Sequence, residues 1–167
     1  MGNSAVHDQQ LFRRWAWLTV CAGYGSLLAY FFSAVIQVLP WSIGRLLFFG
    51  FGPLLVVSAL GLYHTLNARG SRIVTELGVL FNIIGGAMVT AMAVVQNSQF
   101  TTMGRRIDAA RDESTRETLE QILWGVNTVQ SGLDVVWDIF ISCGTALIGL
   151  ALWVHPCFGR VLGGLRN

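Results

Sequence analysis

Apolar positions along this chain fall into four long runs separated by short polar interruptions, at about residues 15–39, 43–66, 73–96 and 131–154. Each run is long enough to cross a bilayer as a helix, for which about 20 residues suffice at roughly 1.5 Å of rise each. Polar and small residues recur within the runs at steps of three and four. The first run carries Thr19, Gly23, Ser26, Tyr30, Ser33 and Gln37, and the second carries Ser58, Gly61 and Thr65. Gly78, Asn82, Gly86 and Thr90 follow in the third. Asp134, Asp138, Ser142, Thr145 and Gly149 mark the fourth. Such steps place residues on one helix face. A helix with one polar stripe and an otherwise apolar surface suits the interior of a membrane bundle, so each stripe is expected to turn inward.

The interruptions set the topology. Pro40 ends the first run, and the short link that follows makes the first two helices antiparallel neighbours. Residues 67–72 read as a tight polar turn. Residues 97–130 are different in kind, being rich in Arg, Asp and Glu. Asp112–Arg116 and Arg116–Glu120 are helix-supporting pairs of opposite charge, and Leu119, Ile122, Leu123, Val126 and Val129 supply an apolar face. The expected fold is a single all-α domain over residues 1–167. It is an integral membrane bundle of four transmembrane helices, with an amphipathic, charged extramembrane helix between spans three and four that lies on the membrane or runs into span four.

Composition sharpens this picture. Hydrophobic residues make up 53% and charged residues 12%, the latter about half the level of soluble domains. The net charge of +2 argues against a nucleic-acid partner. No lysine occurs, which excludes a Schiff-base lysine and a lysine-dependent phosphate loop. Cys21, Cys143 and Cys157 form neither a disulfide framework nor a metal motif. No hydrolase elbow, HExxH helix or dinucleotide fingerprint is present, so no catalytic residue and no metal site are assigned. The first apolar run exceeds a signal-peptide core and lacks an A-x-A site, so the N-terminus is read as retained. Arg13, Arg14, Arg69, Arg72, Arg160 and Arg166 fall on one side of a four-span topology and Arg45, Arg105, Arg106, Arg111 and Arg116 on the other, several of the latter remote from a span end; this modest bias favours cytoplasmic termini in a bacterial inner membrane.

Candidate chemistry gathers at one end of that topology. Gln37 ends span one, Arg45 begins span two, Gln96 and Asn97 end span three, and Asp134 and Asp138 begin span four. An ionised carboxylate in an apolar span is costly unless paired, and Arg45 is the expected partner of Asp138. Gly78, Asn82, Gly86 and Thr90, with Thr145 and Gly149, are the expected close-packing positions. No cofactor is expected from a motif. His64 and His155 are the residues that could hold haem or a chlorophyll-type pigment from two helices.

Asp134, Trp137, Asp138 and Phe140 form a D-x-x-W-D-x-F helix. Gly144, Thr145 and Gly149 follow in a G-T-x-L-x-G-x-A run, and His155, Pro156 and Arg160 in an H-P-x-F-G-R exit. This last third resembles an uncharacterised family of bacterial polytopic membrane proteins. The resemblance implies a fold class and no activity. Family members usually continue into further spans, so the chain is read as either a short member or a truncated one, and a bundle expecting another helix is expected to leave a lipid-facing groove for a partner. Two functions remain open on the sequence. One is a non-catalytic accessory subunit of a larger membrane complex, with the bilayer and other membrane-protein subunits as partners. The other is a small proton- or cation-coupled transporter using Asp134 and Asp138.

Overall fold

The computed structural model describes residues 2–36, 40–66, 72–155 and 158. The chain is all-helical, with no strand among the described residues. Helix α1 spans Gly2–Tyr30 and continues as a π-helical turn over Phe31–Ile36. Helix α2 covers Trp41–Leu66 and α3 covers Arg72–Ser98. A second π-helical turn, Gln99–Met103, leads into the short α4, Gly104–Asp108. Helix α5 then runs unbroken for 42 residues, Glu113–Val154. From Glu113 onward the charged stretch is the first half of α5 and runs directly into the fourth apolar run. The polar N-terminal residues likewise belong to α1. Four of the helices are long and apolar enough to cross a membrane.

Local chemistry explains the starts. The Pro40 carbonyl accepts the amides of Ile43 and Gly44, each at 2.9 Å, closing the first turn of α2. Asp112 has extended backbone and its carboxylate accepts the Thr115 amide at 2.8 Å, an N-cap. That amide holds the Asp112 carboxyl below its ordinary range. Asp112 therefore caps the helix, whereas Arg116 pairs with Glu120 at 3.1 Å.

The helices form an open row. Helix α1 packs on α2, α2 on α3, and α3 on α5, and among the described residues no contact of comparable extent closes α5 back onto α1. Helix α3 is the inner member. In its most apolar window 39% of residues are buried, against 17% in each of the other three. Glycine lets these backbones approach. A Cβ on Gly86 would lie 3.1 Å from the Gly52 carbonyl oxygen, and one on Gly144 would lie 3.0 Å from the Gly78 carbonyl oxygen. Between α1 and α2 the polar stripes meet: the Ser26 hydroxyl donates to the Phe51 carbonyl at 3.1 Å and the Ser58 hydroxyl to the Thr19 carbonyl at 3.3 Å. The apolar core is small, built on Ala59, Leu66, Val79, Ile148 and Ala151.

Candidate functional site

The α3–α5 contact fixes a register. Gly78 lies against Ile148, Asn82 against Gly144, and Gly85 against Ile141, while the Phe81 and Phe140 rings meet edge to face at 5.4 Å. Extending this antiparallel register puts Asp138 level with Met88 and Asp134 level with Met92. At 1.5 Å per residue, Asp138 lies about 6 Å and Asp134 about 12 Å from the middle of the apolar stretches.

The two aspartates part company at this point. Asp134 is half-buried and lines a cleft of about 190 Å³ enclosed by α1, α2, α3 and α5. Tyr30, Phe48, Phe51, Gln96 and Trp137 line it with Asp134, and α3 adds aliphatic side chains. The Tyr30 and Phe51 rings sit 5.1 Å apart, and the Trp137 indole nitrogen is buried with no hydrogen-bond partner. Asp138 is exposed and does not line this cleft. It heads an outward seam of Asp138, Ser142, Thr145 and Gly149, every member of which is exposed. The stripe expected to turn inward therefore turns out. Among the described residues helix α5 has only α3 as a broad neighbour, and it buries Gly144, Ile148 and Ala151.

The other sequence-derived positions divide similarly. Gln96 joins Asp134 at the cleft, and Asn97 is half-buried just beyond it. Arg45 is half-buried with its guanidinium over the Phe49 ring at 5.9 Å, and no ion pair joins it to Asp138. The α2–α3 register places Arg45 level with Gln96, roughly 12 Å along the helix axes from Asp138. Gln37 lies outside the described residues, as do the turn at 67–71 and Pro156, Cys157 and Arg160 of the exit motif.

Gly78, Asn82 and Gly86 are buried, and Thr90, half-buried, bonds the Gly86 carbonyl at 2.7 Å. Thr145 and Gly149 differ. Both are exposed, and a Cβ on Gly149 would meet nothing within 4 Å, so neither packs inside the row. The histidines stay apart in kind: His64 is exposed and stacks on Trp15 at 4.0 Å, whereas His155 is buried at the end of α5 against Phe158 at 5.2 Å. Among the described residues no group of three His, Cys, Asp or Glu could hold a metal ion.

Sequence reasoning missed the aromatic lining of the cleft. Tyr30, Phe48, Phe51 and Trp137 come from α1, α2 and α5, and the packing of α1 on α2, α2 on α3 and α3 on α5 brings them together. Compared with protein families, curated proteins and solved structures, the chain matches none of them.

Proposed function

We propose that this protein is a non-catalytic subunit of a bacterial inner-membrane assembly, docked to other membrane-protein chains through the outward face of α5. Asp138 carries the reading. In a bilayer with a hydrocarbon core of about 30 Å, a carboxyl group about 6 Å from the mid-plane would face lipid, a position that costs several kcal/mol unless it is covered and hydrogen-bonded. Ser142, Thr145 and Gly149 extend the same seam, with hydroxyl donors and no bulk to hold off a neighbouring helix. Beside the seam, Ile139, Leu150 and Trp153 form an exposed apolar arc suited to lipid. A lone monomer would need no such division of its outer surface.

The 42-residue α5 is about 63 Å long, twice the hydrocarbon thickness. Its charged first half then stands outside the bilayer on the non-cytoplasmic side, and both termini lie in the cytoplasm with Arg13 and Arg14. The test is extraction of native membranes in mild detergent, followed by the mass of the material that carries this chain. A stoichiometric assembly, lost on Asp138→Leu while the chain still folds, is the expected result. A monomer that is indifferent to Asp138 contradicts the reading.

One observation favours a second reading, a small proton- or cation-coupled carrier. Asp134 opens onto a cleft between the helices. In that reading Asp134 does the work without Asp138, because the two carboxylates do not share a site.

A further inference from the structure

The cleft beside Asp134 has a chemistry of its own. A half-buried carboxylate is set among four aromatic side chains, Tyr30, Phe48, Phe51 and Trp137. No hydrogen bond or ion pair to Asp134 occurs among the described residues. The nearest fixed cation on α2, Arg45, holds its guanidinium over Phe49 and does not line the cleft. An unpaired carboxylate in apolar surroundings is costly, and an incoming positive charge offsets that cost. Aromatic faces attract the same charge through their quadrupoles, most strongly when water is excluded. Hydrated inorganic cations gain little from such walls, since aromatic carbon cannot replace the oxygen ligands they lose. An alkylated ammonium carries a weaker hydration shell and presents methyl groups that rings can pack against. Size points the same way: about 190 Å³ is below the roughly 300–1,000 Å³ of pockets for drug-sized ligands, so the occupant is a small head group.

We infer that the cleft formed by Asp134, Tyr30, Phe48, Phe51 and Trp137 is a binding site for a small methylated ammonium group, with Asp134 as counter-ion and the rings as walls. The inference goes beyond assembly through α5, because the cleft lies within the row and the docking seam lies outside it. It stands whether or not the chain has partners. The register places the site about 12 Å from the mid-plane, within reach of the head-group boundary. The ammonium could therefore arrive on a lipid or free from water.

The test uses the full chain in nanodiscs of phosphatidylglycerol, which has no ammonium, with tetramethylammonium as the probe and equilibrium binding as the readout. Saturable binding of one tetramethylammonium per chain is expected, with at least a tenfold loss on Asp134→Asn and no change on Asp138→Asn. The neutral isostere neopentane should not compete. Phe51→Leu keeps the carboxylate and removes one ring, so it should weaken binding several-fold even where Asp134→Asn fails to fold. Absence of saturable binding, or binding unaffected by both Asp134→Asn and Phe51→Leu, overturns the inference. Nanodiscs of phosphatidylglycerol diluted by a fifth with either phosphatidylcholine or diacylglycerol, which match in surface charge, then name the source. A lower apparent affinity for tetramethylammonium with phosphatidylcholine than with diacylglycerol identifies a lipid head group as the natural occupant, and an equal affinity identifies a free cation.

Discussion

Asp134 and Asp138 are one helical turn apart on α5, carry the same group, and stand in opposite situations. Asp134 faces a cleft lined by rings from α1, α2 and α5 itself, whereas Asp138 is exposed and outside that cleft. A step of four residues turns a helix by about 40° beyond a full circle. On α5 that rotation carries a carboxylate from the edge of the contact with α3 to the open side. The same polar residue therefore means a site within the chain in one case and a surface between chains in the other. Identity and spacing alone do not distinguish them; the number of neighbours a helix has does.

The comparison can be broken most forcefully at the glycines of the same helix. Gly144→Leu forces a side chain into the Gly78 backbone and Asn82, and should cost about 1–3 kcal/mol of stability, read as a lowered unfolding midpoint in detergent. Gly149→Leu meets open space and should leave that midpoint within about 0.5 kcal/mol, yet weaken the assembly. Equal effects of the two would erase the distinction between inner and outer faces. Next in size, Asp138→Leu should release the chain from its assembly without unfolding it, while Asp134→Leu leaves the assembly intact, as judged by mass in mild detergent. Thr145→Leu, which crowds the seam but removes no charge, should loosen the assembly less than Asp138→Leu in the same assay.

The smallest expected effect lies at the far end of α5. The folded-state pKa of Asp112 is lowered by the Thr115 amide. Its cap is therefore in place above the ordinary carboxylate pKa of about 4 and is lost as pH falls through the lowered value. Protection of the amides over the first turn of α5, taken relative to the intrinsic exchange rate at each pH, should fall on acidification, and Asp112→Ala should show the low protection at neutral pH as well. Protection within the apolar half of α5 should respond to neither.

Much of the fold was legible. Four apolar runs gave four long helices because nothing else satisfies so many apolar residues and their backbone groups together. The row Gly78, Asn82, Gly86 and Thr90 was also legible as close packing, though not as packing against two partners. Each four-residue step advances it by about 40°, so the row starts on α5 at Gly78 and ends on α2 at Thr90. The α5 seam alternates steps of four and three, which holds it to one straight face. Its period reported that Asp138, Ser142, Thr145 and Gly149 stand together, but not that the row of helices stays open on that side. Arg45 and Asp138 looked like partners because both begin a span. Asp138 lies about two turns inside its apolar run and Arg45 within the first turn of its own, so their depths differ. The cleft was hidden for another reason: Tyr30 read as one member of the polar stripe of α1, and Phe48 and Phe51 as ordinary apolar filler, until three helices converge.

The most direct test of docking through α5 is a comparison of two positions on it in intact native membranes. A photo-crosslinking residue replaces Thr145 on the polar seam in one sample and Leu150 on the apolar arc in the other; both positions are exposed. The account predicts a discrete protein adduct of one size from position 145, abolished by Asp138→Leu, and lipid adducts from position 150. Lipid adducts from both positions would contradict it.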